Sequence, residues 1–330
     1  MVCDMNIYVG TSKGVFRVTD GSSTQVLESG GVREVIQIGK RLFAGTGAGL
    51  YVSDDEGSTW TLTDLQEPAV WQIRDNGEGI LYAGTAPTGL FRSEDGGNSW
   101  TEIESLAQLA EAGGWCIPVD PPIPAAARAL VVKGDQLWVG VEVGGIAMSK
   151  DAGATWSVVL PGENPDLHMI FAHPAHTETL FASTGYGRLD GVAEMVEGNA
   201  GVFRSEDGGN SWMYAWKGIT PRYSRPMCID LRPPHWLTVA SAPTAFSSYR
   251  QESGAQAMLF RSEDGGESWR SLTDESHSPS RANFHGLTVD SEVPGGVLVG
   301  TDTGEVWRVT DQAEWQLVAQ DMPAVMSISC

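Results

Sequence analysis

One octapeptide constrains this chain more than any bulk property: serine, any residue, aspartate, any, glycine, any, serine or threonine, tryptophan. It occurs five times, as SDDEGSTW (53–60), SEDGGNSW (93–100), SKDAGATW (149–156), SEDGGNSW (205–212) and SEDGGESW (262–269). Such self-similarity marks an architecture that uses one small unit repeatedly. The residue types suit a tight hairpin between two strands. The aspartates (Asp55, Asp95, Asp151, Asp207, Asp264) can accept hydrogen bonds from turn N–H groups, and the glycines can take a positive φ. The tryptophan then starts the next strand and covers neighbouring sheet with a large ring. These aspartates therefore read as structural residues.

The same strand order recurs around each octapeptide. AVWQIRD (69–75) precedes ILYAGT (80–85), then GLFRS (89–93), the octapeptide, and a fourth strand beginning at its tryptophan. Inner runs fall at 32–38, 69–75, 115–120, 166–172, 226–231, 284–290 and 324–329, and each has a second run resembling IYVGT (7–11). The chain begins on a second strand and ends on an inner one, so 324–329 should complete the first blade, removing two sheet edges. The expectation is an all-β, seven-bladed β-propeller of four-stranded blades, 1–330 forming a single domain. Helix is expected only near 105–112. Closure also brings Cys3 and Cys330 to the two sides of one seam.

Charge bounds the partners. With 42 Asp+Glu against 21 Lys+Arg, the formal charge is −21. Such a surface repels phosphate backbones and anionic lipid, so neither nucleic acid nor a membrane is an expected partner. Lysine depletion with carboxylate excess suits a halophilic protein whose acidic surface holds water. No run approaches the ~18 apolar residues of a membrane span, and MVCDMNIYVG has no leader character. The four cysteines show neither CxxC spacing nor a dense framework, which reads as a reduced, cytoplasmic protein with no metal or cofactor.

Long insertions gather on one face, at 102–114, 185–200, 217–225, 242–257 and 274–283. Loops of such length in a compact fold tend to be functional. They carry Tyr186, Arg188, Tyr223 and Arg225, along with Arg222, Phe246, Tyr249, Arg250 and Arg281. The starts of the inner strands bring Arg33, Trp71, Trp115, His168 and His285 toward the channel mouth, and the ends of the second strands add Glu142 and Asp302. Each has a plainer reading: His168 as a hydrogen-bonded core histidine, Trp71 and Trp115 as channel plugs. His173, His176 and His235 fall in turns on the opposite face, and Cys116 and Cys228 read as small buried hydrophobes.

The octapeptide resembles the Asp-box, or BNR, repeat of sialidases, sortilin-type receptors, xyloglucanases and photosystem assembly factors. The whole chain is similar to WD40/YVTN/BNR-like repeat proteins labelled sialidase-like or glycosyl hydrolases, notably at 139–156, 166–174 and 221–233. A true sialidase needs three channel-facing arginines, a Tyr/Glu pair, an Asp acid/base and an FRIP motif on six blades. FRIP is absent here. Other glycosidases need two carboxylates at about 5–9.5 Å, for which Glu142, Asp166, Asp190 and Glu194 are available. The resemblance implies first a non-catalytic propeller presenting its loop-rich face to a protein partner or a small-molecule or glycan ligand. The alternative is a glycoside hydrolase or lyase working at the channel mouth.

Overall fold

The computed structural model describes residues 6–185, 200–243 and 252–330. These form seven four-stranded antiparallel sheets and one extra two-stranded hairpin. Along the chain, blade 1 takes Ile7–Thr11, Gly14–Thr19 and Ser22–Glu28, and its innermost strand is the chain's last, Val325–Ser329. Tyr8 opposes Ser329 across that seam. The innermost strands of blades 2 to 7 are Val32–Ile38, Ala69–Asp75, Ala127–Lys133, Leu167–Ala172, Tyr223–Ile229 and Phe284–Val289.

The ring is held by seven apolar clusters, one between each pair of neighbouring blades. Phe43, Leu50 and Val52 of blade 2 meet Val70, Ile73 and Leu81 of blade 3 in one of them. Second strands carry glycine where the next blade's inner strand comes closest. A Cβ on Gly84 would stand 2.4 Å from the Ala127 carbonyl oxygen, which is impossible without separating the blades. The recurrent VGT and AGT runs are therefore packing requirements.

The inner strand of blade 4 is a correction. Residues 115–120 do not supply it; Cys116–Ile117 pairs with Ile123–Pro124 in the extra hairpin, and Ala127–Lys133 takes the central place. Pro118, Pro121, Pro122 and Pro124 lack the N–H that a central ladder needs, whereas ALVV supplies an unbroken apolar run. Trp115 accordingly leaves the channel and packs on Gly113 and Gly144 beside the blade 3–4 cluster. Two smaller differences follow from local geometry. Blade 6 begins its inner strand at Tyr223 rather than 226, so Tyr223 and Arg225 are strand residues, not loop residues. The helix runs Glu104–Gly113, pinned by buried Leu106 and Ala110 and ended by Gly114 at φ 61.

All five octapeptides are hairpins of one design. The aspartate Oδ1 accepts the backbone N–H four residues on, at 2.8–2.9 Å, from Thr59, Ser99, Thr155, Ser211 and Ser268. The leading serine Oγ accepts the glycine N–H of the same turn. Trp269 is buried, and Trp60, Trp100, Trp156 and Trp212 are half-buried.

Candidate functional site at the channel mouth

Every inner strand carries a β-bulge at the same level. The register breaks between Val32 and Glu34, Val70 and Gln72, Ala127 and Ala129, Leu167 and Met169, Ser224 and Met227, Phe284 and Gly286, and Val325 and Ser327. A bulged residue is re-aimed out of the regular alternation. The seven breaks leave Arg33, Trp71, Arg128, His168, Arg225 (with Pro226), His285 and Met326 unpaired. All seven line one cavity of about 890 Å³ that runs down the channel, and Glu142 joins them.

Around this ring the polar groups interlock. Trp71 lies between two guanidiniums, with Arg33 4.4 Å and Arg128 4.8 Å from its ring centroid. Arg128 also pairs with Glu142 at 2.8 Å. Glu142 forms an isolated antiparallel bridge with Asp166, so blades 4 and 5 place two carboxylate residues side by side at the rim. Buried His168 has Nδ1 2.5 Å from the Ser224 carbonyl oxygen, which can only accept, so Nδ1 bears the hydrogen. Its Nε2 then faces the Tyr223 hydroxyl at 3.3 Å and Asp166 Oδ1 at 3.4 Å. Gly185 presses on this trio: a Cβ there would stand 2.1 Å from Asp166 Oδ2 and 2.6 Å from Tyr223 Cε2.

Electrostatics follow from this crowding. Burial, then the neighbouring Arg225, Arg128 and Arg33, pushes His285 down to about 3, so it is neutral at pH 7. Burial and Arg128 lower Arg33 as well. More than a third of Arg33 is nonetheless accessible; the accessible part opens into the channel, whose walls still desolvate the charge. Burial raises the Tyr223 hydroxyl. Lower down, burial pushes the Cys228 thiol up to about 12, which makes it an inert wall residue.

The structure thus brings together Trp71, Glu142, His168, Tyr223, Arg225 and His285, and removes Trp115. Tyr186, Arg188, Asp190, Glu194, Phe246, Tyr249 and Arg250 lie outside the described residues, as does Cys3. Arg222 covers Trp216 at 4.0 Å, and Asp302 accepts the Asn283 N–H. His173 meets His176 at a tilt and His235 edge-on in the turns of the opposite face, and the described residues hold no cluster of metal-ligand type. Arg128 escapes a reading of the sequence because the strand that carries it is misplaced there.

No family model matches the chain. Among curated proteins it is similar to the oligoxyloglucan-reducing end-specific xyloglucanase of Emericella nidulans, 26% identical over 291 residues, covering 73% of this chain and 33% of that protein. A xyloglucanase of Hypocrea jecorina is 26% identical over 282 residues, 72% of this chain and 30% of its own. The chain therefore spans about a third of the length of these relatives. Among solved structures, the GH74 xyloglucanase from Xanthomonas campestris superposes with a TM-score of 0.70 at 16% identity, over 97% of this chain and 53% of that one. YCF48 bound to D1 peptide gives 0.54 at 16% identity, over 95% and 84%. At such identities the structural likeness is one of fold. The expectation of a non-catalytic binding propeller is corrected by these relatives, which are enzymes by name, and the cavity is open where a plug of Trp71 and Trp115 was the plainer reading. The chain is a seven-bladed propeller similar to xyloglucanases.

Proposed function

We propose that this protein cleaves glycosidic bonds, as a glycoside hydrolase or lyase, at the channel mouth. The observation that carries the reading is the bridge between Glu142, which lines the cavity, and buried Asp166 behind it. Directly opposed residues of antiparallel strands have Cβ atoms about 4.5–5.5 Å apart, so their carboxylates reach the range that glycosidases use. Glu142, paired with Arg128 and facing the cavity, suits the nucleophile or general base. Asp166 acts through His168: a proton arriving at Nε2 from the Tyr223 side meets the Asp166 carboxylate. A cavity of this volume accommodates several sugar rings, and Trp71 offers an apolar wall for one of them.

The octapeptide hairpins support reading residues 1–330 as one Asp-box propeller domain, and the acidic surface supports a cytoplasmic, salt-rich setting. The test is release of sugar ends from a panel of neutral and acidic glycans, with ultraviolet absorbance reporting any unsaturated lyase product. Release from at least one glycan is expected, falling about 10²–10⁴-fold in Glu142→Gln with an unchanged melting curve. A folded protein inert on the whole panel, or Glu142→Gln as active as the parent, would remove the reading.

A further inference from the structure

Among the described residues, Val143 is the only β-branched one held at a positive φ, 59°. Left-handed backbone crowds the Cβ, and branching at that atom makes such a residue a true outlier. Val143 directly follows Glu142. From this juxtaposition we infer that Val143 is a positioning residue, whose strained backbone fixes the aim of the Glu142 carboxylate. The inference rests on the reading of Glu142 as the working carboxylate of a glycan-cleaving site.

The turn that carries both residues departs from its equivalents in other blades. Blades 1 and 2 join their second and third strands through two residues, Ser12 with Lys13 and Gly47 with Ala48, none of them at a positive φ. A threonine closes each of those turns. Thr11 and Thr46 donate from Oγ1 to the Gly14 and Gly49 carbonyls, and accept the Lys13 and Ala48 N–H groups. Blade 4 has Val141 in the threonine's place, with no hydroxyl to offer. Three residues separate its strands Gln136–Val141 and Gly145–Ser149. The Gly144 N–H donates back to the Val141 carbonyl at 3.0 Å, which sets Val143 at the turn position ordinarily taken by glycine or asparagine.

The strain persists because the surroundings over-determine it. Glu142 N–H donates to the Ala126 carbonyl at 2.9 Å, and the Gly144 and Gly145 N–H groups both reach the Pro165 carbonyl, at 3.2 and 3.0 Å. Trp115 closes the outside: a Cβ on Gly144 would stand 2.9 Å from its Cδ2. The backbone is thus anchored on both sides of Glu142, whose carboxylate meets Arg128 at 2.8 Å. A branched side chain leaves little freedom within the left-handed region, whereas glycine there is permissive. Valine therefore narrows a turn that glycine would loosen, and a working carboxylate needs its direction held to within about 10–20°.

The test compares Val143→Gly with Val143→Ile on a glycan that the parent cleaves. Val143→Gly should melt no lower than the parent, since the strain is gone, yet turn over about 10-fold to 10²-fold more slowly with KM unchanged. Val143→Ile, branched alike, should keep the parental turnover. Melting and turnover moving in opposite directions is an outcome that a purely structural valine would not give. Parental turnover in Val143→Gly, or an equal loss in both variants, overturns the inference and leaves the glycosidase reading standing. A parent inert on every glycan removes that reading instead. Crystal structures of the parent and Val143→Gly then decide the inference: it holds if Glu142 leaves Arg128 in the variant, and falls if the carboxylate is unmoved.

Discussion

The two faces of the ring are built by the same seven blades in opposite ways. On the octapeptide face five hairpins repeat one hydrogen-bond pattern to within 0.1 Å in the aspartate bond. At the bulges the same position carries four kinds of side chain over the seven blades, running arginine, tryptophan, arginine, histidine, arginine, histidine and methionine around the ring. A hairpin satisfies only itself, so one good solution can be copied. A bulged residue converges on a shared centre, and a centre that does chemistry needs unlike groups. Repetition here reports stability, and its failure reports the site.

The largest effect that would break this contrast is at the seam. Deleting 325–330 removes buried Val325 and Ile328, worth about 1.5–3 kcal/mol each by burial, and leaves Ile7–Thr11 as an open edge. The expected outcome is loss of any cooperative melt. A deletion variant that melts within a few degrees of the full chain would mean that closure does not govern the ring.

Next comes Gly185→Ala, which acts on the site and not on the hairpins. Its Cβ must displace Asp166, Tyr223 or His168, and displacements near 1 Å cost about 10²-fold in rate. We expect that loss in turnover with a small change in melting. Unchanged turnover would remove the trio from the mechanism. The mirror experiment is Asp151→Ala. Its carboxylate is held down to about 2 by the side-chain hydroxyl and backbone N–H of Thr155 and by Ser149. Melting should fall by a few degrees and turnover should stay the same; altered turnover would blur the division of faces.

The fold was legible because its signals are local. The octapeptide and the VGT runs each encode a turn or a close approach, and the blades they mark can be counted. The single misplaced strand, 115–120, alternates like a strand, and only Pro118 and the prolines that follow it at 121, 122 and 124 disqualify it. That error hid Arg128 and misplaced Trp115. The bulge ring was not legible, because a bulge is defined by two strands in register and one sequence shows each strand alone. A trace survives: Val32, Val70, Ala127, Leu167, Phe284 and Val325 are buried residues, each followed by the residue that turns into the channel. The direction of function was not legible either. Carboxylates are too common in this chain for two of them to single themselves out, and only the bridge joins Glu142 to Asp166.

The smallest expected effect separates the faces along the pH axis. His285 has a folded pKa of about 3 against about 6.5 when unfolded. Between those values the unfolded chain binds the extra proton, so stability rises with pH and is lost as pH falls from about 6.5 toward 3. The slope from this one group is at most about 1.4 kcal/mol per pH unit, and the loss relative to neutral pH reaches about 2 kcal/mol at pH 5. The hairpin aspartates behave differently. Their pKa values are lowered below the ordinary carboxylate value, so their stabilisation is full above about 3.9 and fades only below it. Falling pH should therefore loosen the channel before the hairpins. His173, pushed to about 4 by burial and then by His176 and His235, titrates in the first window too, so the experiment needs two variants. Denaturant melts between pH 7 and 4.5 should show a shallower pH slope in His285→Asn than in the parent, and shallower again when His173→Asn is added. A slope in His285→Asn equal to the parent's would mean that His285 is not desolvated among the three arginines, and the crowding inferred for the channel mouth would fall with it.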